Sequence, residues 1–167
     1  MEMLAYGIIR KWQDLNAFEI IRHPWFVSAF LAGGFAQLIK LSTEWWRTRS
    51  VRIHHFGTPG GMPSAHSALV TALAVAVGLT EGFDSHSAMI AVGLGTITMA
   101  DAVSIRRAAG EHAKLLNRIV ARLDAAERFE AERLQERLGH RRREVVAGIA
   151  FGALVALVVC GFWDFWK

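Results

Sequence analysis

The stretch "GGMPSAHSALVTALAVAVGLT", Gly60 to Thr80, sets two serines and a histidine at the mouth of an otherwise apolar run. Two glycines and a proline mark a turn there. Pro63 suits the first helical position, and Ser64 can offer its hydroxyl to the same helix end. The free N–H groups of such a terminus attract an anion. Read alone, the fragment fits equally well a capped helix whose His66 is merely interfacial. The rest of the chain has to decide.

At 167 residues there is room for one domain. The chain is 53% hydrophobic with six tryptophans, yet it carries 19 Lys+Arg against 15 Asp+Glu. Its mean hydropathy is +0.27 and its pI about 9.8, so apolar bulk and basic charge are segregated along the sequence. The lone cysteine, Cys160, lies in an apolar run and rules out an internal disulfide. No cleavable signal peptide is evident, because Asp14 and Glu19 interrupt the N-terminal region.

Four segments are candidates to span a bilayer: Trp25 to Leu41, Ser64 to Thr80, His86 to Ile105, and Val145 to Trp163. At roughly 1.5 Å per residue the shortest reach only ~25 Å of a ~30 Å hydrocarbon core. Each alone could be a soluble core helix, but a chain this small leaves no soluble shell to cover four of them. The expected fold is all-α: a compact four-helix transmembrane bundle with an N-terminal interfacial helix and a charged helical arm between spans three and four. Gly93-x-Gly95 and Gly148-x-x-x-Gly152 suit close helix approach in such a bundle. Residues 1–24 are read as the N-terminal interfacial segment and 25–167 as the membrane domain. The arm, 111–139, is inserted in that domain. Within it Leu115, Leu116, Ile119, Val120 and Leu123 recur at helical spacing, and "AERFEAERLQERL" (126–138) interleaves Glu and Arg three and four apart. A solvated helical hairpin is expected. Near-balanced charge argues against a nucleic-acid surface.

With four spans, loops 42–62 and 106–144 share one side of the membrane, and the turn 81–85 and both termini share the other. Arg47, Arg49, Arg52, Arg106, Arg107, Lys114 and the arginines up to Arg143 all fall in the long loops, whereas 81–85 carries no Lys or Arg. The positive-inside tendency places the long loops in the cytoplasm, against the weaker pull of Arg10, Lys11 and Arg22. Lys40, Arg47, Ser64, His66, Asp101, Arg106, Arg107, His140 and Glu144 then converge on one membrane face. Ionisable groups at that depth are costly and mark function.

Such a cluster suits a phosphate dianion. Lys and Arg neutralise charge, and the planar guanidinium fork binds two oxygens at once. One histidine could attack phosphorus while another protonates the leaving oxygen. A nucleophilic histidine needs a carboxylate on its second ring nitrogen, and His140 with Glu144 has the right types one helical turn apart. No metal or other cofactor is needed by this scheme. His54 and His55, without nearby Cys or acids, read as loop residues.

These residues resemble the type 2 phosphatidic acid phosphatase superfamily, and more closely its small divergent branch, related to acid phosphatases and vanadium haloperoxidases. Its motifs are K-x6-R-P, P-S-G-H and S-R-x5-H-x3-D. This chain has Lys40-x6-Arg47, then Pro63-Ser64-Ala65-His66, then a split third motif: Arg106 or Arg107, and "LGHRRREVVAG" from Leu138 to Gly148. The resemblance implies that Lys40, Arg47, Ser64 and Arg106 or Arg107 hold phosphate. It implies His66 as general acid, and His140 as the nucleophile oriented by Glu144. It also implies a lipid phosphomonoester or isoprenoid diphosphate as substrate, without metal. Asp101 would steady one of the arginines by an ion pair.

Departures are Thr48 for proline, Ala65 for glycine, Glu144 for aspartate, and the inserted arm. Because of the arm, His112 stands at the undivided motif's spacing from Arg106, but it lacks an acid four residues on, where Leu116 sits. His140 is therefore the preferred nucleophile and His112 the alternative. The functional reading is an integral-membrane lipid phosphatase in a bacterial-type inner membrane with its site facing the cytoplasm. The rival reading is a catalytically silent subunit that keeps the pocket. A transporter is disfavoured, since four short spans show no inverted repeat. The partners expected are a lipid phosphate and the membrane, with no nucleic acid and a homo-oligomer left open.

Overall fold

A computed structural model describes residues 17–49, 61–122, 133–136 and 138–165. Among these the chain is helical: α1 (Ala17–Arg22), α2 (Pro24–Thr48), α3 (Ala65–Glu81), α4 (His86–Val103), α5 (Ile105–Arg122) and α6 (Arg142–Phe165). Residues 1–16, most of the expected interfacial segment, lie outside the described residues, as do 123–132 of the arm.

Local chemistry fixes the boundaries. Pro24 occupies the first turn of α2, and its C-cap Arg49 adopts a left-handed φ of 54°. The Ser64 and Ser85 hydroxyls accept the Ser67 and Ala88 N–H groups, capping α3 and α4. Pro63 precedes the Ser64 cap and so stands outside the helix, one correction to the expectation that it would open α3. Between α3 and α4, Gly82 at φ 95° turns the chain and Phe83 folds over Gly78.

Three runs are long and apolar enough to cross a bilayer: Pro24–Trp46, His86–Arg122 and Arg142–Trp163. The fourth expected span, α3, is shorter at 17 residues, and it is the central helix, packed against α2, α4 and α6. Its Ala68, Ala72 and Ala76 recur every four residues and are fully buried. They face a matching stripe on α6, where Gly148, Gly152, Ala156 and Cys160 follow the same period. A Cβ on Gly148 would lie 2.6 Å from the Ser64 carbonyl oxygen, and one on Gly152 2.3 Å from that of Ala68. The two backbones therefore touch, and α3 and α6 run parallel. Gly93, by contrast, faces open space, while Gly95 meets Val70. Large side chains such as Phe30, Phe35, Ile90, Ile97 and Phe162 point outward, as a lipid-facing surface requires.

The run His86–Arg122 spans 37 residues, about 55 Å, well over one bilayer. It breaks at Ser104, and the charged half, α5, continues beyond the apolar α4. The returning chain packs on α5 where Gly110 leaves room: a Cβ there would meet the Glu136 carbonyl oxygen at 2.8 Å. Asn117 clamps it further, donating to the Leu134 carbonyl and the Glu136 carboxylate and accepting the Leu134 N–H. The described part of this second limb, 133–136 and 138, is not helical. Asn117 satisfies its backbone as a neighbouring strand would, where a helical hairpin was expected. The Leu115–Val120 stripe of α5 is exposed on the opposite side.

Candidate functional site

The N-termini of α3 and α6 lie side by side, joined by a hydrogen bond from the Ser64 N–H to the Glu144 carbonyl of 3.0 Å. The C-terminal ends of α2 and α4 reach the same face, since α2 and α4 run opposite to the parallel pair. This packing gathers most of the sequence-nominated residues. A small cavity is lined by His66, Thr98, Asp101, Ala102, Arg106, Gly139 and His140. The His66 and His140 rings stand 6.4 Å apart between centroids.

His140 is brought here although 33 residues follow Arg106 before it, and the joint is made by backbone. The break at Ser104 leaves the Ala102 carbonyl to accept the His140 N–H at 2.9 Å. Gly139, at φ 78°, lies so close to α5 that a Cβ would sit 2.6 Å from the Arg107 nitrogen. Only glycine combines that conformation with that proximity. The halves of the split motif are thus reunited in space.

The His140 side chain is 3% exposed, and its Nδ1 lies 3.7 Å from Glu144 Oε2 and 3.2 Å from the Gly139 carbonyl. The Gly139 carbonyl is within hydrogen-bond reach of Nδ1, and the Glu144 carboxylate lies farther off beside the same nitrogen, which favours the tautomer protonated at Nδ1 and leaves Nε2 as the lone-pair nitrogen. Glu144 is itself steadied by the Arg141 N–H, as in the return half of a capping box. Burial lowers the His140 pKa, as does the Lys40 charge; the Gly139 carbonyl and Glu144 act in the opposite sense. The imidazole is kept neutral, the form able to attack an electrophile.

Arg106 Nε bonds Asp101 Oδ2 at 2.6 Å. The pair is half open to solvent, so its worth is positional rather than energetic. Asp101 takes Nε and directs the guanidinium toward the cavity. Arg107 is outside the cavity lining; its backbone packs on Gly139, and its charge acts on Glu111. Lys40 is half-buried, its stem crossing Gly61 at 3.2 Å from where a Cβ would be. Its charge is felt at both histidines, and the Glu144 charge acts on it in turn. Ser64 is fully buried, and its hydroxyl accepts from both the Ser67 N–H and the Ser67 hydroxyl. Helix capping occupies it, away from the cavity wall where a phosphate contact was expected. The Arg47 side chain lies outside the described residues. His112 is exposed on α5 and absent from the cavity lining.

Three lining residues escaped the sequence reading: Thr98, Ala102 and Gly139. Thr98 stands one turn before Asp101 and Ala102 on α4, so helical spacing alone could have found it. Gly139 was visible as a glycine beside the histidine. Ala102 acts only through its carbonyl and leaves no trace in residue type. Among the described residues no three His, Cys, Asp or Glu gather to hold a metal ion.

Parallel helices packed backbone to backbone, outward-facing apolar side chains and one polar cluster at their ends define an integral-membrane helical protein with a polar, two-histidine cavity. Residues 21–155 match the divergent PAP2 family, and the chain belongs to it. It is similar to the uncharacterized membrane protein YuiD of Bacillus subtilis (strain 168), with 36% identity over 155 residues, covering 86% of this chain and 98% of the relative. No solved structure matches.

Proposed function

We propose that this protein is a phosphohydrolase acting on a lipid phosphomonoester or an isoprenoid diphosphate. The observation that carries the reading is the facing of His66 and His140 across a cavity walled by Arg106. In the first step the His140 Nε2 lone pair attacks phosphorus. The bond from phosphorus to the leaving oxygen breaks, and that oxygen takes a proton from His66. Glu144 stabilises the imidazolium that forms on His140. Water, deprotonated by His66, then displaces His140, releasing inorganic phosphate and restoring both rings. Arg106, Lys40 and the paired N-termini of α3 and α6 offset the phosphate charge, with Arg47 the further cation of that set. None of these steps calls on a metal or cofactor. The basic loops at this face support a cytoplasmic orientation in an inner membrane.

One observation favours the silent-subunit reading. Nδ1 of His140 and Glu144 are 3.7 Å apart, beyond hydrogen-bond length, so the nucleophile's orientation rests on the Gly139 carbonyl as well. The deciding experiment is phosphate release by the purified protein from a panel of lipid phosphates, alongside His140→Ala, His66→Ala and His112→Ala. Turnover lost with the first two and kept with the third supports the mechanism. Turnover lost only with His112→Ala moves the nucleophile to α5. An inert wild type returns the protein to the silent-subunit reading.

A further inference from the structure

His66 belongs to two cavities. Besides the polar one, it closes the end of a groove of about 450 Å³ between α2 and α3, whose other walls include Gly33, Gly34, Gln37 and Leu69. That volume lies within the ~300–1,000 Å³ of small-molecule sites. The groove runs along α2 and α3 and opens beside the outward-facing Phe35 and Leu38, which are 49% and 55% exposed.

Polarity changes in order along it. On α2, Gly33, Gln37 and Lys40 follow at four and three residues and share one face, from no side chain to an amide to an ammonium. On α3 the order is matched in reverse, from Leu69 to His66. The register is fixed at both ends: a Cβ on Gly33 would lie 3.3 Å from Leu69 Cδ1, and one on Gly61 3.2 Å from Lys40 Cε. Apolar therefore faces apolar and charged faces polar. A groove built this way fits a molecule that is hydrocarbon at one end and anionic at the other.

We infer that the α2–α3 groove seats a hydrocarbon chain of the phosphorylated substrate, which leaves the cavity sideways over Gly34, with Gln37 meeting the first polar atoms beyond the phosphate. This rests on the phosphate-site reading above and extends it. Gly34 has nothing within 4 Å of where its Cβ would be. A side chain placed there enters the groove without disturbing the packing of the helices. Gln37 is a specificity residue by position: it stands three residues, just under one turn, from both Gly34 and Lys40.

The test compares dodecyl phosphate with methyl phosphate, both below micellar concentration. Binding is followed by calorimetry in mild detergent, and phosphate release is measured in parallel. The variants are Gly34→Leu and, as control, Gly93→Leu, whose site on α4 is equally open. The expected result is at least a tenfold loss of dodecyl phosphate affinity in Gly34→Leu, with methyl phosphate unchanged and Gly93→Leu like wild type. Gln37→Leu should weaken both chain-bearing binding and discrimination, less than Gly34→Leu does. Equal dodecyl phosphate binding by wild type and Gly34→Leu overturns the groove, and so does a wild type that fails to prefer dodecyl over methyl phosphate. The expected binding pattern without phosphate release upholds the groove and removes the hydrolytic reading. Release without the differential does the reverse.

Discussion

Gly152→Ala sets two effects against each other, and the structure says which wins. Alanine is the better helix former by about 0.8–1.0 kcal/mol, and burying its methyl adds about 0.8 kcal/mol. Those terms alone would stabilise α6. The new Cβ, however, would lie 2.3 Å from the Ala68 carbonyl oxygen and 3.0 Å from its carbon and Cα. All three are backbone atoms of the central helix, so no rotamer change relieves the overlap. The helices must separate, and α3 is the element that every other span packs on. Overpacking of this kind costs about 1–3 kcal/mol, and separation also forfeits contacts along Gly148, Ala156 and Cys160. The expected net is a loss of stability, whereas Gly93→Ala, which meets nothing within 4 Å, should be neutral or slightly stabilising. Thermal unfolding in mild detergent, followed by tryptophan fluorescence, reads the difference. Gly152→Ala should melt several degrees below wild type, taking about 2–4 °C per kcal/mol for a chain of this size. A Gly152→Ala protein that melts at or above both wild type and Gly93→Ala would refute the backbone contact between α3 and α6.

Gly139→Ala should cost about 1–2 kcal/mol for a side chain in the left-handed region and push His140 off Ala102. Phosphate release, where the wild type shows it, should fall by about a hundredfold, as for a misplacement near 1 Å; a fully active variant would dissociate His140 from that joint. Asn117→Leu removes three hydrogen bonds to the returning limb, each worth about 0.5–1.5 kcal/mol. Amide exchange at Leu134 should accelerate sharply while exchange in α3 stays unchanged, and an unaltered Leu134 rate would refute the clamp. The lowered His140 pKa has a fixed sign in stability. The native state resists protonation, so the unfolded chain binds the extra proton as pH falls through about 6.5. Stability should be fully present above that pH and decline below it, and His140→Gln should flatten the decline. An equally steep fall in His140→Gln would assign the acid sensitivity elsewhere.

Hydropathy and caps made the frame readable. Ser64 opens an apolar run with a hydroxyl suited to a helix start, and α3 begins one residue after it; Ser85 does the same for α4, a cap that the sequence reading passed over. The four-residue spacing of Gly148 and Gly152 announced a close helix approach, but not which helix would come close. The mate of a small-residue stripe depends on how all the spans are arranged, and so the shortest segment gave no sign of being the central one. The cluster at one membrane face was legible because topology alone brings alternate helix ends together. Finer choices were not. Arg106 rather than Arg107 turns toward the cavity because the chain breaks at Ser104, a backbone event with no residue signature. In the arm, Glu and Arg three and four apart suggested helix, and Arg133 with Glu136 keeps such a pair at 3.5 Å. Helical spacing of charges is weak evidence once a side chain such as Asn117 offers the backbone other partners.

The hydrogen bond between His140 and Ala102 also orders events in time. A chain made from its N-terminus has His66, Asp101 and Arg106 in place while residue 140 is still unsynthesised. The second histidine arrives only with the last span, and it docks on a carbonyl left waiting by the break at Ser104. A truncated chain ending in the arm would therefore carry the cations without the nucleophile candidate. The bundle completes its two-histidine cavity and its packing in one act, when α6 slides in beside α3.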